Sequence, residues 1–503
     1  MPDQKSNNPD EVNQKEMIQM FEDGSLKKEL VLSELDRWPR SDFCYYLLGL
    51  IQKKEKDYDN ALDSFYKSKE INPNSSGTLN NIGELLFLNN KREEALSCFV
   101  NLTQFNPEYS KGWINLAISY HNAGLLEESL DCYKKALNLD PMDIPANLGL
   151  CELLRVLGKN DEVIKTLKKL SNHFPNKKIV SIMHARSLYE DGKESEALEL
   201  YKKIENDFPN DKTALYNQAV IQKVFKKNYD KSLEIALKLE EIDPNSEINK
   251  TLILELLMQK KDIKGYIKYY NSLEKSMKLN RAIDAMSNYI AHQTDDFIDP
   301  AFCSKPLDYI FQTNLSDFCS SSKSLIKDLK YDIKDKYNVW EPNSNSTIGG
   351  YQTAKNLFLY KEESFSEMLK FILFTVNKYK EHYNGSENLM IKEWPKNTSI
   401  HGWAVTLNTN GHQDAHIHPD GWLSGVFYLQ VPKIKKEEGS IFFTLLGDDY
   451  PILTKKKIVE KHIKPKQGDL ILFPSSLFHG TVPTTSKDDR ISLAFDIKPI
   501  YEI

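Results

Sequence analysis

Residues 411–429 read GHQDAHIHPDGWLSGVFYL and carry four groups able to bind a metal ion, His412, Asp414, His416 and His418, at every second position. A strand sends alternate side chains to one face. An extended run here would point all four the same way, yet only two can sit side by side on one ion. His416 and His418 are neighbours on that face and precede the turn Pro419-Asp420-Gly421. A pair spaced i and i+2 at a strand end can take two adjacent coordination positions. His412 with Asp414 is the alternative pair, which offers a carboxylate and has Gly411 before it to open the strand. A third ligand must come from elsewhere, and His479 in LFPSSLFHGTVP, directly after GDLILFP, is best placed. Eleven residues later Arg490 opens RISLAFDI and shares a strand face with Ser492. His401 and His462 read as surface residues.

The elements that must hold these groups are short strands. SIHGWAVTLN, SGVFYLQV, GSIFFTLL, GDLILFP and RISLAFDIK follow residue 390, separated by Gly, Pro, Asn and Asp. Regularly spaced short strands without helices between them predict a closed or two-sheet structure of jelly-roll type. Ahead of them, 305–334 and 362–383 have helical spacing. Between these, WEPNSNSTIGGYQT (340–353) reads as turn-rich around Gly349-Gly350. Lys433 to Glu438 reads as a charged hairpin loop and Asp448-Asp449 as a solvated loop.

His416-Ile417-His418-Pro419, Trp422 to Leu429, Phe473-Pro474 with His479, and Arg490 to Phe495 together resemble the iron(II)/2-oxoglutarate dioxygenases on the double-stranded β-helix. The resemblance covers 335–500. It implies Fe(II) held by His416, His418 and His479 on one face, leaving open positions for 2-oxoglutarate and dioxygen. It implies Arg490 as the planar, permanently charged partner of the far carboxylate of 2-oxoglutarate, with Ser492 adding a hydrogen bond. Trp403, Asn408, Ser424 and Tyr428 then line the cavity. The implied reaction is hydroxylation of a C–H bond, with 2-oxoglutarate converted to succinate and carbon dioxide. One feature departs from the wider superfamily, whose second ligand is usually Asp or Glu. With His418 there, the site is three neutral histidines. With His412 and Asp414 the carboxylate returns, but His416 and His418 have no assigned role. A cupin-like metal site without oxygenase activity, and a histidine cluster without metal, are the competing readings.

The first 290 residues are periodic. Prolines at 39, 73, 107, 141, 175, 209 and 244 are spaced by 34 residues, with 35 at the last step. Twelve residues before them stand Ala61, Ala95, Ser129, Ala197 and Ser232, and twenty-four before stand Gly49, Gly83, Ala117, Cys151 and Ala185. Small residues there allow close approach of two helices, and proline ends the second one. The pattern resembles tetratricopeptide repeats, most closely over 42–75 and 110–143. Cys98 and Cys132 occupy equivalent repeat positions, which core packing explains. Domain borders follow: 1–41, a tail and degenerate capping half-repeat; 42–246, the repeats; 247–292, a C-terminal helical cap; 293–394, a helical and turn-rich lead-in; 395–503, the oxygenase core. The expected fold class is a multidomain chain, an all-α superhelical tetratricopeptide solenoid followed by a double-stranded β-helix with flanking helices.

Composition bounds the rest. A net charge of −6 over 503 residues gives no electrostatic reason to expect nucleic acid or an anionic membrane. No apolar run approaches the ~18 residues of a membrane helix, and the polar start MPDQKSNNPDEV has no apolar signal segment. Six cysteines without a C-x-x-C pair suit a reducing compartment, so the expected location is cytoplasmic. The array suggests a protein or peptide partner in its groove, hence a protein or peptide substrate. The rivals are a small-molecule or lipid oxygenase that uses the array for assembly, and a non-catalytic scaffold.

Overall fold

The computed structural model describes residues 8–294, 298–336, 338–341, 346–353, 356–433 and 437–500. Parts of three sequence features lie outside the described residues: 295–297 at the expected domain border, 342–345 in the turn-rich stretch, and 434–436 in the charged loop. Two compact units are present, one ending at Gln218 and one beginning at Ala219.

The first unit is built of antiparallel helix pairs. Asp42–Lys54 with Tyr58–Ile71, Ser76–Leu88 with Arg92–Phe105, and Ser110–Ala123 with Leu126–Leu139 are its first three pairs. The periodic small residues have a measurable reason. A methyl group on Gly49 would lie 2.7 Å from the Phe65 ring, and one on Gly83 2.5 Å from the Phe99 ring. The aromatic residue of each second helix therefore fills the space a side chain would need on the first. Where serine stands at the small position of the second helix, its hydroxyl is used: Ser129 donates to the Ala117 carbonyl at 2.8 Å. Two further helices, Glu11–Glu22 and Lys28–Arg37, precede the pairs and bury Met17 and Val31 against Cys44, Leu47 and Leu48.

The second unit holds the helices Tyr229–Ile242, Glu247–Gln259, Ile263–Ser272 and Arg281–Gln293, followed by the β domain. Its strands are β1 (Phe311–Asn314), β2 (Asn338–Trp340), β3 (Thr347–Thr353), β4 (Thr398–His416), β5 (Leu423–Gln430), β6 (Ile441–Thr444), β7 (Glu460–Ile463), β8 (Asp469–Pro474), β9 (Phe478–Thr481) and β10 (Arg490–Pro499). All pairings are antiparallel. One run is β1-β8-β5-β10-β4-β3-β2, and the other is β7-β6-β9-β4. The 19-residue β4 belongs to both: its first half pairs with β10 and its end with β9. One sheet thus curls over the other, the arrangement of a jelly roll.

Strand β5 is buried at seven of its eight positions, because both of its faces are covered. Leu423, Phe427 and Leu429, with Leu493 and Phe495 of β10, pack on the helices Ser322–Lys334 and Glu363–His382. The alternate residues Val426 and Tyr428 meet Ile441, Phe443 and Phe473 in the interior between the two sheet layers. That second face carries the site. The sequence expectation for 340–353 is corrected here: 347–353 is strand, not turn. Gly350 allows β3 to lie against β4, since a methyl group there would be 2.5 Å from the Thr406 carbonyl oxygen. The helical spacing read over 305–334 holds only for Ser322–Lys334, and β1 occupies part of the remainder.

Candidate metal centre

The end of β4 contains an extra residue. Gln413 pairs with Thr481 and His416 with His479, so Asp414 and Ala415 together oppose Gly480 alone. Such a β-bulge bends the strand and reverses the inward and outward alternation beyond it. The four alternating groups therefore do not share a face. His412 and Asp414 lie on the outer side, with His412 Nε2 3.4 Å from Asp414 Oδ1. His416 turns inward, and His418 follows it just beyond the strand. The ligand atoms of His416, His418 and His479 all lie within 4.8 Å of one another, the separation of donors around a single ion. Their ring centroids are 4.4 to 5.1 Å apart.

A second layer fixes the orientation of each imidazole. His416 Nδ1 donates to the Asp414 carbonyl at 2.7 Å, His479 Nδ1 to the Leu477 carbonyl at 3.1 Å, and His418 Nδ1 to Asp496 Oδ1 at 2.6 Å. An acceptor on Nδ1 holds the proton there and leaves the Nε2 lone pair for a metal. Burial, then the neighbouring His418, push His416 down to about 4. Burial, then the other two imidazoles, hold His479 well below its ordinary value. Both are therefore neutral near pH 7, the state a metal requires. Asp496 is nearly buried and also accepts the Ser424 hydroxyl at 2.8 Å, which lies 2.8 Å from Ser475 Oγ. Burial works against its charge. His418 beside it and the Ser424 hydroxyl outweigh that, and hold the carboxyl below its usual range. The site's carboxylate thus stands behind a histidine instead of among the ligand atoms. Sequence reading missed Asp496, although Arg490, Ser492, Ala494 and Asp496 alternate on one face of β10.

Arg490 is 1% exposed. Its Nη2 donates to the Tyr428 hydroxyl at 3.2 Å and its guanidinium lies 4.9 Å from that ring. Nε and Nη1 are buried without a hydrogen-bond partner. A buried cation with unused donors is costly unless an anion meets it, so this corner suits a carboxylate of a small ligand. Burial raises the Tyr428 phenol, which keeps its proton available for donation to the same ligand. Ser492 is buried in register with Tyr428.

The remaining expected residues divide. Trp403 stacks on His418 with centroids 5.6 Å apart, and Ser424 acts through Asp496. Asn408 instead donates to Asp489 at 2.8 Å, beside Arg490 in sequence. It anchors the loop leading into β10. His401 and His462 are exposed.

Comparison with known proteins agrees with this division of the chain. Residues 401–496 match the family described as "Putative 2OG-Fe(II) oxygenase", and 110–143 and 44–75 match tetratricopeptide repeats. A Drosophila melanogaster protein named BBSome complex member BBS4 homolog is 32% identical over 72 residues, 14% of this chain and 15% of that relative. A tetratricopeptide repeat protein from Parabacteroides merdae is 19% identical, with a TM-score of 0.38, over 48% of this chain and 96% of its own. YrrB, a TPR protein with an unusual peptide-binding site, is 22% identical, with a TM-score of 0.31, over 37% of this chain and 95% of its own. Residues 44–75 and 110–143 are thus tetratricopeptide repeats, and residues 401–496, which hold the three histidines, are a match to the 2OG-Fe(II) oxygenase family.

Proposed function

We propose that the β domain is an Fe(II)- and 2-oxoglutarate-dependent dioxygenase that hydroxylates a C–H bond, on a protein or peptide recruited by the repeats. The observation that carries this reading is three converging imidazoles and, on the face of β10 that also carries Asp496 behind His418, a buried arginine with two unpartnered donors. His416, His418 and His479 would hold Fe(II). Bound iron, with 2-oxoglutarate and dioxygen, supplies the oxidising power, and succinate and carbon dioxide are the co-products. The chain's own part is orientation. Arg490, with the Tyr428 hydroxyl and Ser492, fixes the far carboxylate and so the direction in which the cosubstrate enters. Asp496 keeps the His418 proton on Nδ1. Trp403 walls the cavity on the His418 side, and Val426, Ile471 and Phe473 exclude water from the inner face.

The repeats are the reason for favouring a protein or peptide substrate over a small molecule. Six cysteines without a disulfide among the described residues fit a reducing compartment such as the cytoplasm. Anaerobic calorimetry tests the cosubstrate assignment. 2-Oxoglutarate should bind after Fe(II) is added and not before, and Arg490→Ala should weaken it by roughly 2–5 kcal/mol, the cost of losing a buried charged partner. Iron-independent binding, or full affinity in Arg490→Ala, would contradict the assignment.

A further inference from the structure

Two of the three imidazole-bearing segments are braced by one helix that precedes the β domain. In Arg281–Gln293, the buried Arg281 donates from Nε to the carbonyl of Pro419, the residue after His418, at 3.1 Å. Its Nη1 donates to the Leu279 carbonyl at 2.8 Å, which ties the side chain to its own helix start. The guanidinium lies 5.4 Å from the Phe302 ring and 5.6 Å from the Trp422 ring. Trp422 closes the same turn: its amide donates to Ile497 at 2.7 Å and its indole to Met390 at 2.9 Å. Asp284, one helical turn on, accepts the amide protons of Phe302 and Cys303, each at 3.1 Å. Phe302 meets Trp422 edge-on at 5.0 Å.

Further along the helix, Tyr289 donates to the Pro451 carbonyl at 2.9 Å and lies 5.3 Å from the Tyr450 ring. Tyr450 in turn lies edge-on, 5.3 Å from Phe478, the residue before His479. Gln293 at the end of the helix donates to Lys456 at 3.2 Å and accepts the Thr454 hydroxyl at 3.0 Å. The helix thus grips the turn that follows His418 and the loop that packs on Phe478, the neighbour of His479 in β9. His416 is placed by the pairing of β4 with β9.

We propose that helix Arg281–Gln293 is part of the metal centre, with Arg281 the positioning residue for His418 and Tyr289, through Tyr450 and Phe478, the positioning residue for His479. This rests on the metal assignment above. Residues that orient ligands typically change metal affinity about 10- to 100-fold when replaced. Coupling is reciprocal, so a metal at the three histidines stabilises the helix as much as the helix tightens the metal.

Anaerobic titration of the full chain with Co(II), followed by its visible absorption, tests the proposal. The wild type should bind one Co(II), and His479→Ala should lose it. Arg281→Ala should bind about 10- to 100-fold more weakly with an altered spectrum, and Arg281→Lys, which restores a cationic donor, should recover most of the loss. Tyr289→Ala should weaken binding while Tyr289→Phe, which keeps the ring on Tyr450, stays near wild type. Should Arg281→Ala lose its cooperative melt, the Tyr289 pair decides on the same terms. Folded Arg281→Ala and Tyr289→Ala proteins with wild-type affinity and spectrum would overturn this proposal alone. A wild type that binds no Co(II) would overturn the metal assignment and the proposal with it.

Discussion

Asp496 supplies a negative charge that the three imidazoles cannot, and it does so from behind His418. Replacing it with Asn keeps the shape and removes the charge. Asp496→Asn is expected to weaken metal affinity about 10- to 100-fold in a titration with Co(II) or Zn(II), while Ser424→Ala, which removes one support of Asp496, costs less. Equal affinity in Asp496→Asn would mean that the carboxylate is structural only. The depressed histidines give a pH dependence. Burial holds His416 at about 4, against 6.5 for an ordinary histidine. The unfolded chain takes up this proton first, so folding loses stability as pH falls through that window and keeps it above. The melting temperature of metal-free protein is therefore expected to drop between about pH 6.5 and pH 4, and to drop less in His416→Gln. The ligand candidates and Arg490 were legible in the sequence because histidine and arginine at short strand spacing are conspicuous. Asp496 was not, because a single carboxylate in a strand looks like any solvent-facing residue until its partner is known.

The bulge in β4 decides which pair of the alternating run faces inward. Period-two reasoning puts His412, Asp414, His416 and His418 on one face, and the extra residue opposite Gly480 divides them. Deleting Ala415 removes that extra residue but leaves Asp414 opposite Gly480 and His416 still opposite His479, facing inward. The deletion variant is therefore expected to keep Co(II) binding, with far-ultraviolet circular dichroism unchanged. A folded deletion variant that binds no Co(II) would show that the bulge does more than set this register. Bulges leave no mark in the side-chain pattern, which is why the ligand register stayed open in the sequence. The helix pairs were far more legible, since each repeat reuses the same fit of aromatic ring against small residue, as Phe65 does on Gly49 and Phe99 on Gly83. The short strands β1, β2, β7 and β9 were missed, because three or four residues carry too little alternation to read.

At the scale of the molecule, the helices from Tyr229 to Gln293 belong to the same compact unit as the β domain, and the expected border at 292/293 runs through it. A fragment spanning 293–503 would expose the Phe302 and Trp422 rings and lose the hydrogen bonds to the Pro419 and Pro451 carbonyls, at about 0.5–1.5 kcal/mol each. It is expected to melt without cooperativity, whereas a fragment spanning 212–503 melts as one transition in the same scan. Two equally cooperative melts would favour the border at 292. Repeat periodicity could not reveal this, because the last helices lose the repeat signature and bear instead the contacts of the β domain. The central claim is oxygenase chemistry at the three histidines, and succinate release tests it most directly. In air, with Fe(II) and 2-oxoglutarate, the wild type should form succinate even without substrate, at a low uncoupled rate, and His479→Ala and Arg490→Ala should form none above the buffer. Iron-loaded wild type that forms no succinate, or His479→Ala that forms as much, would contradict the account.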